Sequence, residues 1–145
     1  MHALPHQYSV TVNGHPQGPL NVFADHLPAL AVNAPSQFDG PGDKWSPEEL
    51  LMAAAANCFV LSFRTVAALA KLDWLSIECH SNGELDKIER NMLFTKITIS
   101  VTLLVADAAS RSKAETLLRK AEKICIVSNS LSARKYLKIN VLSKY

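Results

Sequence analysis

The chain has 145 residues, enough for one domain with a real core and too few for two comfortable ones. With 48% apolar and 19% charged residues it fits a soluble globular protein, and its three cysteines exclude a disulfide-framed scaffold. The net charge of +2 hides an asymmetry: residues 1–63 carry one cation, Lys44, against five acids, and every other Lys and Arg lies from Arg64 onward.

The start, Met1-His2-Ala3-Leu4-Pro5-His6-Gln7, has no basic segment followed by an apolar one, so no secretory signal is expected and the expected compartment is the cytoplasm. Tyr8, Val10 and Val12 alternate with Ser9 and Thr11, and Asn13-Gly14 supplies a turn. Leu20 and Val22 begin a second strand, Leu30 and Val32 a third, which together predict a small antiparallel meander. Residues 34–45 read as a Pro/Gly/Asp-rich loop.

A long helix then starts at a clear signal. Ser46 can cap it, Pro47 suits the first helical position, and Glu49 holds the capping-box position. The pattern predicts a helix to about Lys71 or Leu72. Its longest apolar stretch, Leu50 to Phe63, is 14 residues and contains Asn57 and Ser62; a bilayer needs roughly 20, so a buried helix is expected and no membrane partner. The middle of the helix is apolar or small on every side, which one sheet of a small domain cannot cover. A second copy of the same helix across a dimer interface is the expected cover.

Leu75, Ile77 and Cys79 alternate with Ser76, Glu78 and His80 as a strand. After a turn near Asp86–Asn91, Ile97, Ile99, Val101 and Leu103 mark the cleanest half-buried strand. A second helix is predicted from about Ala108, with Ala114, Leu117, Leu118, Ala121 and either Ile124 or Cys125 as its apolar stripe. Leu137, Ile139 and Val141 make a last strand. The order predicts an α+β domain over residues 1–145. Arg111, Lys113, Arg119, Lys120 and Lys123 crowd the second helix, but Glu115 and Glu122 interleave, so a solvated face is expected and no nucleic-acid partner.

Chemistry rests with the thiols. No C-x-x-C and no zinc-like spacing occurs, and His2, His6, His15, His26 and His80 are scattered, so neither a metal nor another cofactor is expected. Cys79 and His80 point to opposite faces of a strand. A mid-helix cysteine such as Cys58 is, by itself, most often a small core residue, and Cys79 beside Leu75 and Ile77 is read the same way. Cys125 stands where the helical stripe gives way to Val127-Ser128-Asn129-Ser130, a point where the backbone must turn and a thiol can be presented.

Phe38-Asp39-Gly40, Ser46-Pro47-Glu48-Glu49-Leu50, Ala53-Ala54-Ala55-Ala56-Asn57-Cys58-Phe59 and Cys125-Ile126-Val127-Ser128 together resemble the OsmC/Ohr family of thiol peroxidases, and the order of elements matches over nearly the whole chain. The resemblance implies an OsmC-like fold, antiparallel sheets around a long central helix, in an intertwined homodimer with sites at the subunit interface. It implies that Cys58 is the peroxidatic thiol, Cys125 the resolving thiol and Glu48 the family's active-site glutamate. Ten helical residues make about 15 Å of rise and an offset near 80°, so Glu48 does not touch Cys58 of its own helix; cooperation requires the other subunit's helix.

Two positions depart from the family pattern. The second motif usually reads Cys-Pro-Val-Ser, and Ile126 stands for the proline. Family peroxidases use an arginine from the N-terminal half, whereas this chain has Gln37-Phe38-Asp39-Gly40 in the stretch resembling Arg-Phe-Glu-Gly and Lys44 as the only nearby cation. A lysine lacks the planar fork that can hold a carboxylate while facing a thiolate.

The implied function is reduction of organic hydroperoxides to alcohols in oxidative-stress defence, through a Cys58 sulfenic acid and a Cys58–Cys125 disulfide, with an external dithiol as reductant. Phe38, Leu51, Met52, Ala55 and Phe59 are the expected apolar walls and Lys44 the expected cation. The alternatives are a dimeric module that binds a hydrophobic small molecule or senses redox state, and a purely structural dimerisation domain. The latter leaves both motif cysteines unexplained.

Overall fold

The computed structural model describes residues 1–145, in two compact units, Met1–Leu51 and Met52–Tyr145. In the first unit β1 (Thr11–Asn13), β2 (Leu20–Phe23) and β3 (Leu30–Val32) form an antiparallel meander, with Val12 opposite Val22 and Val22 opposite Leu30. The first strand is shorter than its alternation predicts. Its partner strand ends at Phe23, opposite Thr11, so Tyr8 and Val10 have no ladder to join and stay exposed.

The loop after β3 is more ordered than its composition suggests. Ser36–Phe38 form a 3-10 turn, Asp39 takes a left-handed conformation at φ 58°, and the Gly40 N–H donates to the Pro35 carbonyl at 3.0 Å. A Cβ at Gly40 would collide with the Ala34 carbonyl. Trp45 returns to pair with Val32 in a parallel bridge.

Helix α1 (Pro47–Leu69) begins in the first unit and continues in the second. The Ser46 hydroxyl accepts the Glu49 N–H at 3.1 Å and donates to Glu49 Oε1 at 3.0 Å, a capping box in which the glutamate returns to the hydroxyl rather than to the backbone N–H. At the other end Lys71 turns left-handed at φ 54°, and the Leu72 N–H donates to the Ala67 carbonyl at 2.9 Å. This Schellman-type ending stops the helix two or three residues before the apolar pattern does. By length and composition α1 could cross a membrane; in the protein its Ala55, Phe59, Phe63, Val66 and Ala67 face lies in the core.

The second unit is a three-stranded sheet of order β4-β5-β6, formed by β4 (Trp74–Ile88), β5 (Asn91–Val105) and β6 (Arg134–Ser143). Ile88 pairs with Asn91 across a two-residue turn, tighter than the one predicted from sequence. The inner face carries Ile77, Cys79, Ser81 and Gly83 of β4 opposite Leu103, Val101, Ile99 and Ile97 of β5. One pair is not antiparallel: β6 runs parallel to β5. The connection holds α2 (Arg111–Ile124), and a helical crossover returns a strand in its original direction. Alternating polarity cannot distinguish the two pairings.

Helix α2 buries Ala114, Leu117, Leu118 and Ala121. Of the two residues that could close this stripe, Cys125 is buried and Ile124 exposed. The Lys113 ammonium donates to the Ala70 carbonyl at 2.5 Å, tying α2 to the end of α1.

Candidate active site

Cys58 sits on α1 and is half-buried. Cys125 is 1% exposed and occupies an extended break between α2 and the single turn α3 (Ile126–Asn129), at φ −66° and ψ 106°. Its carbonyl accepts the Asn129 N–H at 3.0 Å, and the Asn129 side-chain amide donates to the Lys123 carbonyl at 2.9 Å. These bonds fix the break on both sides. The first N–H groups of a helical turn have no partner within it, which leaves those of Ile126 and Val127 free to face a sulfur.

The fold brings the two thiols together although they are 67 positions apart. Burial pushes the Cys58 thiol up, but the Val127 N–H, the Cys125 thiol, the Ile126 N–H and the Ser62 hydroxyl together hold it below the ordinary cysteine value. Cys125 moves the other way. Its burial raises it, and the Cys58 sulfur adds to the rise against the opposing Ser128 side chain and N–H. One thiol is thus acidified and reachable, its neighbour buried and kept protonated. Such a pair can present a thiolate to an oxidant and then a second sulfur to the oxidised product.

Cys79 lies on the inner face of β4, packed against the same core. Burial and the nearby Cys125 sulfur push its thiol up to about 11. Sequence reasoning missed four other contributors. Ser62 was legible in principle, one helical turn beyond Cys58. Ser128 sits three residues beyond Cys125. The Ile126 and Val127 donors are backbone groups, which no reading of side-chain types exposes.

The remaining expected residues fall in separate places. Glu48 is in the first turn of α1, and its buried Oε2 has no hydrogen-bond partner within the chain. With Leu20, Val32, Ala34, Pro35 and Phe38 it lines an apolar cavity of about 340 Å³ within the first unit. Lys44 is exposed and pairs with Asp43 at 3.4 Å. Leu51 is half-buried. Met52 packs over the sheet, where its Sδ accepts the Ser81 hydroxyl at 3.5 Å and where a Cβ on Gly83 would come within 2.7 Å of it. Phe59 is 1% exposed, so it can shape a pocket only from behind its surface. Ala55 is likewise buried.

Comparison with known proteins bears on the family and the fold. The chain is 24% identical over 117 residues to the uncharacterized protein YmaD of Bacillus subtilis (strain 168), covering 79% of this chain and 78% of that protein. It is 31% identical over 88 residues to peroxiredoxin OsmC of Escherichia coli (strain K12), covering 61% of each, so it spans about three-fifths of that relative's length. An OsmC-like protein of unknown function from Vibrio cholerae O1 biovar eltor str. N16961 has the same fold, with a TM-score of 0.85 at 17% identity over 93% of this chain and 99% of that one. The family model described as OsmC-like protein matches residues 40–140, a span that contains both Cys58 and Cys125. On that match the chain belongs to the OsmC family.

Proposed function

We propose that the protein is a thiol-dependent peroxidase that reduces organic hydroperoxides to alcohols. A redox role of peroxiredoxin type is supported by the family and by the peroxiredoxin name of one relative. The observation that carries the finer reading is the Cys58–Cys125 pair, one thiol acidified and the other buried beside it.

In the proposed cycle the Cys58 thiolate attacks the distal peroxide oxygen. The O–O bond breaks, the alkoxide leaves and takes a proton as alcohol, and Cys58 becomes a sulfenic acid. The Cys125 sulfur then displaces water from the Cys58 sulfur to form a disulfide. An external dithiol returns both sulfurs to thiols. Apolar Met52, backed by the buried Phe59, favours an alkyl over a hydrogen peroxide. The working unit is a homodimer in the cytoplasm, in which Glu48 of the partner subunit faces the thiol and Lys44 supplies positive charge.

A stoichiometric test decides the matter. Reduced protein receives one equivalent of tert-butyl hydroperoxide, the thiols are counted and the disulfide is mapped. The expected result is rapid loss of two thiols per chain and a Cys58–Cys125 bond. Slow oxidation spread over all three cysteines would instead support a module that binds a hydrophobic small molecule. That second reading draws on one observation: no arginine precedes Arg64.

A further inference from the structure

The hydrogen bonds around the Cys125 break differ in what they join. The Cys125 N–H donates to the Glu122 carbonyl at 3.3 Å and closes α2. The Ser130 hydroxyl donates to the Ile126 carbonyl at 2.8 Å, and the Ser130 N–H to the Val127 carbonyl at 3.1 Å; both hold α3 together within itself. One bond reaches from α3 back to α2, that of the Asn129 side-chain amide on the Lys123 carbonyl at 2.9 Å. The Asn129 N–H also donates to the Cys125 carbonyl at 3.0 Å. Asn129 thus grips the chain both before Cys125 and at it.

We propose that Asn129 is a positioning residue for the thiol pair: its amide clasps α3 to the end of α2 and so sets Cys125, and the turn that follows it, against Cys58. The proposal rests on the peroxidase reading above. Asn129 hydrogen-bonds two backbone carbonyls and neither sulfur, so it acts only through the backbone it holds. It adds no step to the cycle and consumes no reagent.

The break needs such a clasp. Cys125 is extended between two helical segments, and rotation about its two soft backbone torsions swings α3 against α2. A proline at position 126 would by itself hold Cys125 extended; Ile126 imposes no such restriction. A four-residue helix has no stability of its own. Val127 and Ser128 rest on the core, but Ile126 is exposed and anchors nothing at the hinge. A swing there would carry the Ile126 and Val127 N–H groups away from Cys58 and shift Cys125 together with them. Disulfide closure requires the two Cβ atoms to come within about 3.5–4.5 Å, so a turn that wanders closes the bond more slowly and leaves the Cys58 sulfenic acid standing longer.

The test compares Asn129→Ala with Ser130→Ala in the full-length protein. Both residues are exposed, and each substitution deletes one side-chain donor of the same turn, but only the first cuts the tie to α2. Thermal melting checks that both variants keep the fold. Reduced protein receives one equivalent of tert-butyl hydroperoxide without reductant, and samples quenched in acid give the rate of Cys58–Cys125 closure. We expect Asn129→Ala to close the bond roughly fivefold more slowly, about the factor that one net hydrogen bond carries, and dimedone to trap more Cys58 sulfenic acid. Its Cys58 alkylation profile should move to higher pH, which a loss of overall stability would not produce. Ser130→Ala should match wild type in all three measurements. Closure at the wild-type rate in Asn129→Ala, or equal slowing in both variants, overturns the clasp and leaves the peroxidase reading intact. A wild type that forms no Cys58–Cys125 bond overturns both.

Discussion

The Ile126 N–H faces the Cys58 sulfur and is one of four groups that draw its thiol below the ordinary value. A proline, the usual family residue here, has no such hydrogen to give. Ile126 is therefore a gain of one donor in a chain that has no arginine before Arg64.

Ile126→Pro tests this directly, and it should fold. Cys125 already has the extended backbone that a following proline requires. Position 126 opens a helical turn, where proline is favoured, and Ile126 is 75% exposed, so little packing is lost. A hydrogen bond to a charged group is worth roughly 1.5–3 kcal/mol, and the half-open setting of Cys58 reduces that. We expect iodoacetamide to alkylate Cys58 roughly fivefold more slowly at neutral pH. Its pH profile should move to higher pH. An unchanged profile would remove Ile126 from the account.

The three thiols should also separate by reactivity in the native protein. Cys58, lowered and half-open, should react first and stay reactive furthest toward acid pH. Cys79, near 11, is roughly one part in a thousand thiolate at pH 8 and should react only as the protein opens. Cys125 is buried and raised, so it should behave like Cys79. Alkylation rates by peptide mass, measured from pH 5 to 9, check the order. Equal rates for Cys58 and Cys125 would contradict the electrostatic asymmetry on which the peroxidase reading depends.

How much of this was legible in the sequence depends on whether the cause is local. The cap at Ser46 and Glu49 and the inward side of Cys79 follow from spacing alone. The choice between Ile124 and Cys125 does not, because it is made by the backbone leaving the helix at Cys125. The meeting of Cys58 with Cys125 depends on α1 and α2 packing on one sheet, which no spacing of 67 residues records. Cys79 reads as core from strand alternation, and it packs against the core. The parallel pairing of β6 is a property of its crossover, invisible in the strand's own residues.

Gly40 offers a test of the loop before α1. A Cβ there meets the Ala34 carbonyl, a backbone group that cannot swing aside as a side chain could. Forcing extra atoms into a filled site costs roughly 1–3 kcal/mol. We expect Gly40→Ala to lower stability to urea by about that amount. Gly18→Ala is the matched control: its added Cβ meets nothing within 4 Å, though its own positive φ carries a smaller conformational cost. A midpoint for Gly40→Ala no lower than that of Gly18→Ala would show that the loop can yield.

The outer side of α1 carries the last prediction. Ala54, Asn57, Leu61, Thr65 and Ala68 recur at helical spacing along one exposed line, and Leu61 and Leu69 are 56% and 80% exposed. The first members are small, which allows another helix to approach closely, and Leu61 stands near the centre of the line. Burying a leucine contributes about 1.5–3 kcal/mol, and a charge in its place would have to be desolvated unpaired. We therefore expect light scattering to give twice the chain's 15.9 kDa for the wild type and a single-chain mass for Leu61→Arg at micromolar concentration. Circular dichroism should show the helix retained in both. A wild-type mass of one chain would exclude the second copy as the cover of this face, and with it the assignment of Glu48 of the partner subunit to the Cys58 site.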